Sequence, residues 1–394
     1  MADPVLVRGR LVTPVEEIAD GVVAVEAGTI VYAGPSGEWR RRHHQVALPE
    51  PRGTVLPGLV DIHCHGGGGN ALTTTDAAEA RAVAAHHALH GSTSLVASLV
   101  TAAPEVLLDQ VRALAPLVAT GELAGLHLEG PFLSPARCGA QAPTFLTLPD
   151  LDLIDDLLAV SDGAMKVMTI APELPGAAQA VTRLRAAGVT VALGHSDASY
   201  TIFRAALRGL DGEGLVTHLG NGMPPFHHRA VGPVGACLEE VAAGRAAVEV
   251  IGDGVHVDDG FVAMVFATAA HDSVVLVTDA MAAAGMPDGD YVLGPQQVVV
   301  REGVARLGGD SVADASTLTI AGGTSHLIEI VARAVNRAGI PLVDAVRAAS
   351  QTPARVLGVA DEIGALQTGL SADLVLTDEV LRPIRVMRRG GWLS

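Results

Sequence analysis

Lysine, cysteine and long apolar runs are all scarce in this chain of 394 residues, and each scarcity excludes something. Lysine occurs once, at Lys166, and the formal net charge is −17. A chain this acidic offers no basic patch for polymeric phosphate, which argues against nucleic acid and anionic membrane surfaces as partners. We therefore expect a small-molecule substrate.

The three cysteines, Cys64, Cys138 and Cys237, do not form a paired framework. The N-terminus has no basic segment followed by an apolar stretch, as a secretory signal would. No apolar run reaches the roughly 18 residues that a membrane span needs. We expect a protein of the reducing cytoplasm without a membrane segment.

The chain is long and rich in hydrophobic residues. With 49% hydrophobic residues it can fill one large core and a smaller one, because single cores rarely grow beyond about 250–300 residues. Short strands punctuated by glycine and proline lie near both ends. We predict a small β-sandwich domain built from residues 1–55 and 364–394, with a larger domain, 56–363, inserted between them.

The insert alternates strand and helix patterns, which indicates an α/β fold with a parallel sheet and crossover helices. Eight repeats favour a closed (β/α)8 TIM-like barrel, and an open doubly wound sheet is the alternative. The predicted strands are 59–63, 94–97, 125–128, 167–170, 189–193, 215–217, 248–251 and 274–278, with predicted helices at 77–90, 104–119, 176–187 and 199–209.

Histidines and carboxylates follow five of these strands. His63 and His65 share one face of the first strand because strand residues two apart point the same way. The others are Glu129 after the third strand, His195 after the fifth, His218 after the sixth and Asp279 after the eighth. Each has an ordinary structural explanation when taken singly, such as a helix cap for Asp279. Barrel sites lie at strand carboxyl ends, so together they predict a site for zinc or a similar divalent ion.

Of the remaining histidines, His227 and His228 lie in a loop and His326 lies near a helix start. We expect His127 either in a core layer or supporting Glu129, since the two share a face of the strand. His256, after the seventh predicted strand, is the best further candidate for a site residue because its loop opens onto the same rim of the barrel, at the carboxyl ends of the strands. Histidines in polar or helical stretches are expected to face solvent, and these are His43, His44, His86, His87, His90 and His271.

Four motifs carry a family resemblance: HLEGPF at 127–132, GHSDA at 194–198, HLGNGMPP at 218–225 and VTDA at 277–280. With His63-x-His65 and the split β domain, they resemble the amidohydrolase superfamily. Within it, the chain is similar to the N-acetylglucosamine-6-phosphate deacetylase family, nearly from end to end. The resemblance implies hydrolysis of the N-acetyl group of that sugar phosphate to glucosamine 6-phosphate and acetate, in amino-sugar catabolism and cell-wall recycling.

The resemblance also implies ligands and roles. Glu129, His195 and His218 match the residues that hold the family's primary metal, and His63 and His65 allow a second ion. Zinc is the expected metal, with iron, manganese, cobalt and cadmium as alternatives. Asp279 matches the catalytic aspartate, which would take a proton from metal-activated water and pass it to the leaving amine.

Substrate contacts and assembly follow from the same resemblance, which implies a homodimer because the family completes its phosphate site across a dimer interface. Gln141 stands where many members have a histidine, so this side chain can donate a hydrogen bond but carries no charge. Cys138 is a candidate loop contact, although an ordinary thiol is the simpler interpretation. The expected substrate contacts are Ala140, Gln141, Asn221, Gly222, Arg229, His256, Ile320, Ala321 and Gly322.

Lys166 separates the chain from relatives that bridge two metals with a carboxylated lysine. It opens the fourth strand, several residues below the rim at about 3.3 Å per residue, so a bridging carboxylate would have to come from Glu129. Two alternatives stay open. One is a metal-dependent deacylase of another N-acyl substrate, such as an N-acyl amino acid or a different N-acetyl sugar phosphate, and the other is a non-catalytic scaffold of the same fold.

Overall fold

The computed structural model describes residues 4–212, 214–308 and 318–394. The strands are β1 (Val5–Val12), β2 (Glu17–Glu26), β3 (Thr29–Pro35), β4 (Thr54–Pro57), β5 (Leu59–Cys64), β6 (Gly66–Gly67), β7 (Asn70–Ala71), β8 (Ser92–Val100), β9 (Gly125–Glu129), β10 (Met165–Ile170), β11 (Thr190–Leu193), β12 (Gly214–Val216), β13 (Ala246–Val250), β14 (Val274–Leu276), β15 (Gly289–Leu293), β16 (Gln296–Arg301), β17 (Val304–Leu307), β18 (Leu374–Thr377), β19 (Pro383–Arg388) and β20 (Gly391–Trp392).

The helices are α1 (Ser36–Arg42), α2 (Ala77–Leu89), α3 (Pro104–Ala119), α4 (Leu151–Ser161), α5 (Ala177–Ala186), α6 (Tyr200–Arg208), α7 (Gly232–Ala242), α8 (Asp259–Thr268), α9 (Leu327–Asn336), α10 (Leu342–Ala348) and α11 (Gln351–Val356). Several begin at a side chain that accepts a hydrogen bond from a free backbone N–H of the first turn. Asp76 does so for α2, Asp150 for α4, Ser199 for α6 and Asp258 for α8. The sequence predicts two of these four helices, at 77–90 for α2 and 199–209 for α6, whereas α4 and α8 were not predicted.

Eight parallel strands form the barrel, in the order β5, β8, β9, β10, β11, β12, β13, β14. The last strand returns to the first, since Asp279 N donates to His63 O at 2.9 Å and His65 N donates to Ala280 O at 2.7 Å. This near-closure confirms the barrel over an open sheet. Each predicted strand of the insert overlaps an observed one.

The inward face of the barrel changes from apolar to polar toward the carboxyl ends of the strands. Val167, Leu215 and Ala247 belong to the apolar cluster that fills the lower barrel. Two residues further along the same strands, and therefore on the same face, stand Thr169, Thr217 and Glu249, all buried. The upper layer is thus built for polar side chains, and the candidate site lies directly above it.

Both ends of the chain build one seven-stranded sheet, in the order β20, β19, β18, β4, β1, β2, β3. The sheet curls on itself, because Ile30 N donates to Leu370 O at 2.9 Å and Ala372 N to Gly28 O at 2.8 Å. Its core joins Val23 and Leu374 from distant strands. The small β domain from both chain ends is therefore confirmed, while the boundaries at 55/56 and 363/364 stay a prediction.

A third sheet, β15–β17, is antiparallel and was not predicted. Its turns at Gly294-Pro295 and Glu302-Gly303 are the signal that marks it in the sequence. Val298 and Val300 of this sheet pack with Val100 and Met281 of the barrel. The sheet covers one side of the rim. No helix in the described part of the chain is long and apolar enough to cross a bilayer.

The core of the small domain gives the first prediction. Leu374→Ala removes a fully buried side chain and should lower the free energy of unfolding by about 2–5 kcal/mol. Ile384→Ala is the matched control in the neighbouring strand, because its side chain is 54% exposed and such changes cost within about 0.5 kcal/mol. Urea denaturation of both variants measures the difference, and equal losses would contradict this core.

Candidate active site

Three of the predicted site residues occupy strained backbone positions directly after barrel strands. His195, His218 and Asp279 have φ angles of +46°, +25° and +47°. This left-handed region is uncommon for any residue other than glycine, although asparagine, aspartate and histidine adopt it more often than the rest, and its use costs roughly 1–3 kcal/mol. Strain of this kind clusters at functional sites, where it aims a side chain in a direction that regular strand geometry does not allow.

Glu129 ends β9 and lies at the centre of the group, buried. One carboxylate oxygen, Oε1, lies 2.8 Å from Nε2 of His195 and 2.8 Å from Nε2 of His218. The two ring nitrogens are themselves 3.1 Å apart. Nδ1 of His195 donates to the carbonyl of Arg137 at 2.7 Å, so in the neutral ring Nε2 carries the lone pair that a metal takes. Carboxylate oxygen and imidazole nitrogen are ligands that suit zinc.

The second carboxylate oxygen of Glu129 faces the other predicted ligands. Oε2 lies 3.2 Å from Nε2 of His65 and 3.7 Å from Nε2 of His63. Asp279 Oδ1 lies 3.2 Å and 3.5 Å from the same two nitrogens. Two groups with metal-ligating geometry therefore stand side by side, and Glu129 spans both. The donor sets fit one ion or two.

A buried layer orients these ligands from below. Oε2 of Glu249, on β13, lies 2.9 Å from Nδ1 of His63. The same oxygen accepts a hydrogen bond from the backbone N–H of His218 at 3.2 Å. His127 bridges Ser98 Oγ at 2.9 Å and Thr169 Oγ1 at 2.8 Å. Its position settles the open choice: it belongs to the polar layer beneath Glu129. Such supporting contacts fix ring tautomers and orientation at metal sites.

The local charge balance favours a cation. Burial raises the pKa of Glu129, but the imidazoles of His63 and His195 outweigh burial and hold it well below its ordinary value. Burial lowers the pKa of His65, yet Asp279 and Glu129 raise it to about 9. Asp279 is likewise held below its ordinary pKa, because His63 and His65 outweigh its burial. The carboxylates are thus ionised and stabilise positive charge between them.

A cavity of about 300 Å³ opens onto this cluster. Asp279 and His65 line it beside the three predicted primary ligands. Nδ1 of His256 is 2.7 Å from Asp253 Oδ2, which fixes the ring at the cavity wall. The predicted substrate contacts that line it are Ala140, Gln141, Asn221, Gly222, His256, Ile320 and Gly322.

Some predicted residues lie elsewhere. Ala321 is fully buried, in the cluster that includes Val298 of the third sheet. Arg229 is exposed on the loop between β12 and α7, away from the cavity lining of its own chain. Cys138 is half-buried in the loop after Glu129 and does not line the cavity either. His63 is buried beneath the lining rather than part of it.

Gln141 has a more specific place than the sequence indicates. Its Nε2 donates to Glu129 Oε2 at 2.6 Å, and its Oε1 accepts from the backbone N–H of Thr101 at 2.8 Å. Both ends of the buried amide are therefore satisfied, and the side chain holds the Glu129 carboxylate in place. Hydrogen bonding to Glu129 is the role that this geometry supports.

Several site residues escaped the sequence analysis. Glu249 is a lone carboxylate within the apolar strand Ala246–Val250, and that isolation is the signal that could have found it. Leu293 and Thr319 line the cavity from the region of the unpredicted third sheet and the chain after it. Neither residue belongs to a recognisable sequence motif, and neither is a residue type that marks a catalytic or metal site.

The expectation that His86, His87 and His90 face solvent is wrong. His87 is fully buried and His86 and His90 are half-buried. Burial lowers the pKa of His86 to about 4 and that of His87 to about 3. The helix pattern failed because α2 has no clean polar face, and its histidines pack under the loop that follows His65.

A barrel that gathers imidazoles and carboxylates at its strand ends, beside an aspartate in a cavity, defines a class of metal-dependent hydrolases. The sequence profile of the amidohydrolase family matches residues 54–393. The chain belongs to the amidohydrolase family. This confirms the prediction of a metal-dependent enzyme that hydrolyses amide C–N bonds.

Several individual proteins are similar to this chain over most of its length. The N-acetylgalactosamine-6-phosphate deacetylase of Escherichia coli O157:H7 is 34% identical over 341 aligned positions, 85% of this chain and 86% of the relative. The N-acetylglucosamine-6-phosphate deacetylase of Bacillus subtilis (strain 168) is 30% identical, covering 99% and 97%. A mutant N-acetyl-D-glucosamine-6-phosphate deacetylase from Mycobacterium smegmatis, solved in complex with N-acetyl-D-glucosamine-6-phosphate, is 39% identical with a TM-score of 0.91, covering 99% of both chains.

The contact between Gln141 and Glu129 gives the second prediction. Gln141→Ala removes the donor that orients the carboxylate, and loss of such a supporting contact costs about 10–100-fold in metal affinity. Competition with a chromophoric chelator measures the affinity. Thr144→Ala, an exposed change in the same loop, is the control and should leave it unchanged. Wild-type affinity in Gln141→Ala would remove this residue from the site.

Proposed function

We propose that the protein hydrolyses the acetamide bond of N-acetylglucosamine 6-phosphate, giving acetate and glucosamine 6-phosphate. The observation that carries this proposal is Asp279 Oδ1 at the cavity wall, 3.2 Å from Nε2 of His65 and next to the ligand group of Glu129. The names of the relatives supply the substrate class.

The metal assignment is part of the proposal. Glu129, His195 and His218 would hold the primary ion, and His63 and His65 would hold a second where two bind, because the Glu129 carboxylate contacts both groups. Zinc fits this mixture of nitrogen and oxygen ligands. When bound, such an ion supplies Lewis acidity, lowering the pKa of a water towards about 7 and polarising a carbonyl.

The chain's own residues handle the protons and the position of the sugar. Asp279 accepts a proton from the attacking water and delivers it to the amine nitrogen as the C–N bond breaks. Its strained backbone aims the carboxylate into the cavity. His256 and Asn221, with the backbone around Gly222 and Gly322, bind the sugar from the walls, together with Ala140, Gln141 and Ile320.

A homodimer completes the phosphate site in this proposal. No lysine or arginine lines the cavity among the described residues, although the substrate carries a phosphate. Arg229 lies on an exposed loop beside Phe226, whose side chain is 52% exposed. An arginine and a large apolar group exposed on one loop are suited to an interface, so in this proposal Arg229 of the partner subunit serves the cavity.

The cellular location and a second substrate are also part of the proposal. A cytoplasmic location agrees with three unpaired cysteines, two of them buried. N-acetylgalactosamine 6-phosphate is a second candidate substrate, favoured by the name of the relative that is 34% identical. The ratio of kcat/KM on the two epimers separates these two functions.

Replacing the proposed base gives the third prediction. Asp279→Asn keeps the size of the side chain but cannot accept a proton, so kcat should fall by about 10²–10⁴-fold. The metal content of the purified variant, measured by mass spectrometry, should equal that of wild type because the primary ligands are intact. Asp272→Asn, an exposed change just before β14, is the control. Near-normal turnover in Asp279→Asn would exclude it as the base.

The shared phosphate site gives the fourth prediction. Arg229→Ala should lower kcat/KM on the phosphorylated sugar by about 10–100-fold, the usual worth of a hydrogen bond to a charged group. Activity on unphosphorylated N-acetylglucosamine should not change. Arg112→Ala, an exposed arginine on α3, is the control for loss of surface charge.

Mixing variants tests which subunit supplies the arginine. A mixed dimer of Asp279→Asn and Arg229→Ala chains contains about one intact site if the arginine crosses the interface, so activity should rise above that of either variant alone. If both variants exchange subunits and activity does not recover, Arg229 does not serve the partner's cavity.

A further inference from the structure

A second cluster of histidines lies between α2 and the start of α9, separate from the catalytic ligands. His86 and His90 are one helical turn apart, in and just after α2, and His326 is the residue that precedes α9. One ring nitrogen from each lies within 4.8 Å of the others. Nε2 of His86 is 2.9 Å from Nε2 of His326, and the rings of His90 and His326 stack at 3.7 Å.

The other hydrogen bonds of this cluster use the Nδ1 atoms, and the Nε2 atoms of His86 and His326 face each other. Nδ1 of His90 donates to the carbonyl of His86 at 2.8 Å, and Nδ1 of His326 lies 3.3 Å from Glu329 Oε2. A carbonyl oxygen accepts only, so the neutral His90 ring carries its lone pair on Nε2, and the His326 ring does so in the tautomer that donates from Nδ1 to Glu329. A histidine whose other nitrogen donates to a carbonyl or carboxylate is the usual form of a metal-bound histidine.

Two glycines lie against the rings of His86 and His326, where a residue with a side chain would collide with them. Gly285 has a φ of +74°, and a Cβ there would lie 2.8 Å from Nε2 of His86 and 3.0 Å from Cε1 of His326. A Cβ on Gly68, whose φ is +61°, would lie 2.8 Å from Nδ1 of His86. Any side chain at either position would intrude on the rings. The loops that carry these glycines therefore come close without filling the space beside the nitrogens.

The neighbouring His87 adds an unsatisfied group. It is fully buried, and its ring centroid lies 5.7 Å from that of His326. Its Nε2 lies 3.0 Å from the carbonyl oxygen of Gly66, but its Nδ1 has no hydrogen-bond partner within the described ranges. Burial of an unpaired polar nitrogen is costly, and a bound water or ion is one of the arrangements that satisfy such an atom.

We propose that His86, His90 and His326 bind a divalent transition-metal ion at a site distinct from the catalytic centre. Three imidazoles suit zinc, nickel or copper(II) rather than calcium or magnesium, which prefer oxygen. His86 and His90 are half-buried, so an ion enters from solvent and keeps water in its remaining position. The ion joins α2 to the start of α9, directly beneath the glycine loop that follows His65.

Zinc itself is the probe in the first experiment, on crystals of the full-length wild-type chain. Crystals equilibrated with micromolar zinc chloride are measured above and below the zinc absorption edge. The expected result is an anomalous peak bonded to His86, His90 and His326 at about 2.0–2.1 Å, in addition to any at the catalytic centre. Peaks only at the catalytic centre, or a cluster peak that needs millimolar zinc, would overturn the proposal.

Metal counting in solution provides the second experiment. After equilibrium dialysis against micromolar zinc, His86→Ala/His90→Ala should retain one ion per chain fewer than wild type. His271→Ala, which removes an exposed histidine, is the control and should retain the wild-type number. Only the difference is used, so the result is independent of whether the catalytic centre holds one ion or two.

A third variant separates the two sites and guards against misfolding of the double variant. Glu129→Gln/His195→Ala disrupts the catalytic ligands but leaves the cluster intact, and it should still bind one zinc ion, detected by the same anomalous peak. Equal counts in wild type and His86→Ala/His90→Ala, or no ion at the cluster in Glu129→Gln/His195→Ala, would refute the second site while leaving the proposed deacetylase activity untouched.

Discussion

The carboxylate of Glu129 is the constraint on which the site depends. It is buried at the end of β9 and contacts His195 and His218 through one oxygen and His65 through the other. A buried carboxylate is unfavourable unless charges of opposite sign or hydrogen bonds compensate it. Every neighbour of this group supplies one or the other, and the cavity, the bridging geometry and the position of Asp279 follow from that compensation.

The contacts that close the barrel also bring part of the site together. The backbone of Asp279 donates to the carbonyl of His63, which joins the last strand to the first. The same two residues then place their side chains 3.5 Å apart at the rim. A change that opened this seam would separate the aspartate from the imidazoles, so the left-handed φ of Asp279 is maintained by the pairing that completes the fold.

Much of this arrangement is encoded locally and could be predicted. The barrel strands are short apolar runs bounded by glycine, and parallel strands end at one rim, so His63, Glu129 and His218 had to converge. The contact of His86 with His326 could not be predicted, because it joins residues 240 positions apart. Gln141 is similar, since nothing in its loop sequence indicates that its amide turns inward onto Glu129. Local patterns determine elements, whereas these contacts depend on how the elements pack.

The charge of the substrate poses the remaining physical problem. The chain carries a net charge of −17, yet a sugar phosphate must enter a cavity whose lining, within the described residues, has no lysine or arginine. Long-range repulsion is weak, because the Debye length is about 8 Å at physiological ionic strength. At short range a cation held by the ligand cluster would attract the acetamide end, and the phosphate would have no lysine or arginine partner among the described residues that line the cavity. In the proposed homodimer, a basic group from the second subunit would resolve this imbalance, and dimerisation would then be a condition of substrate binding.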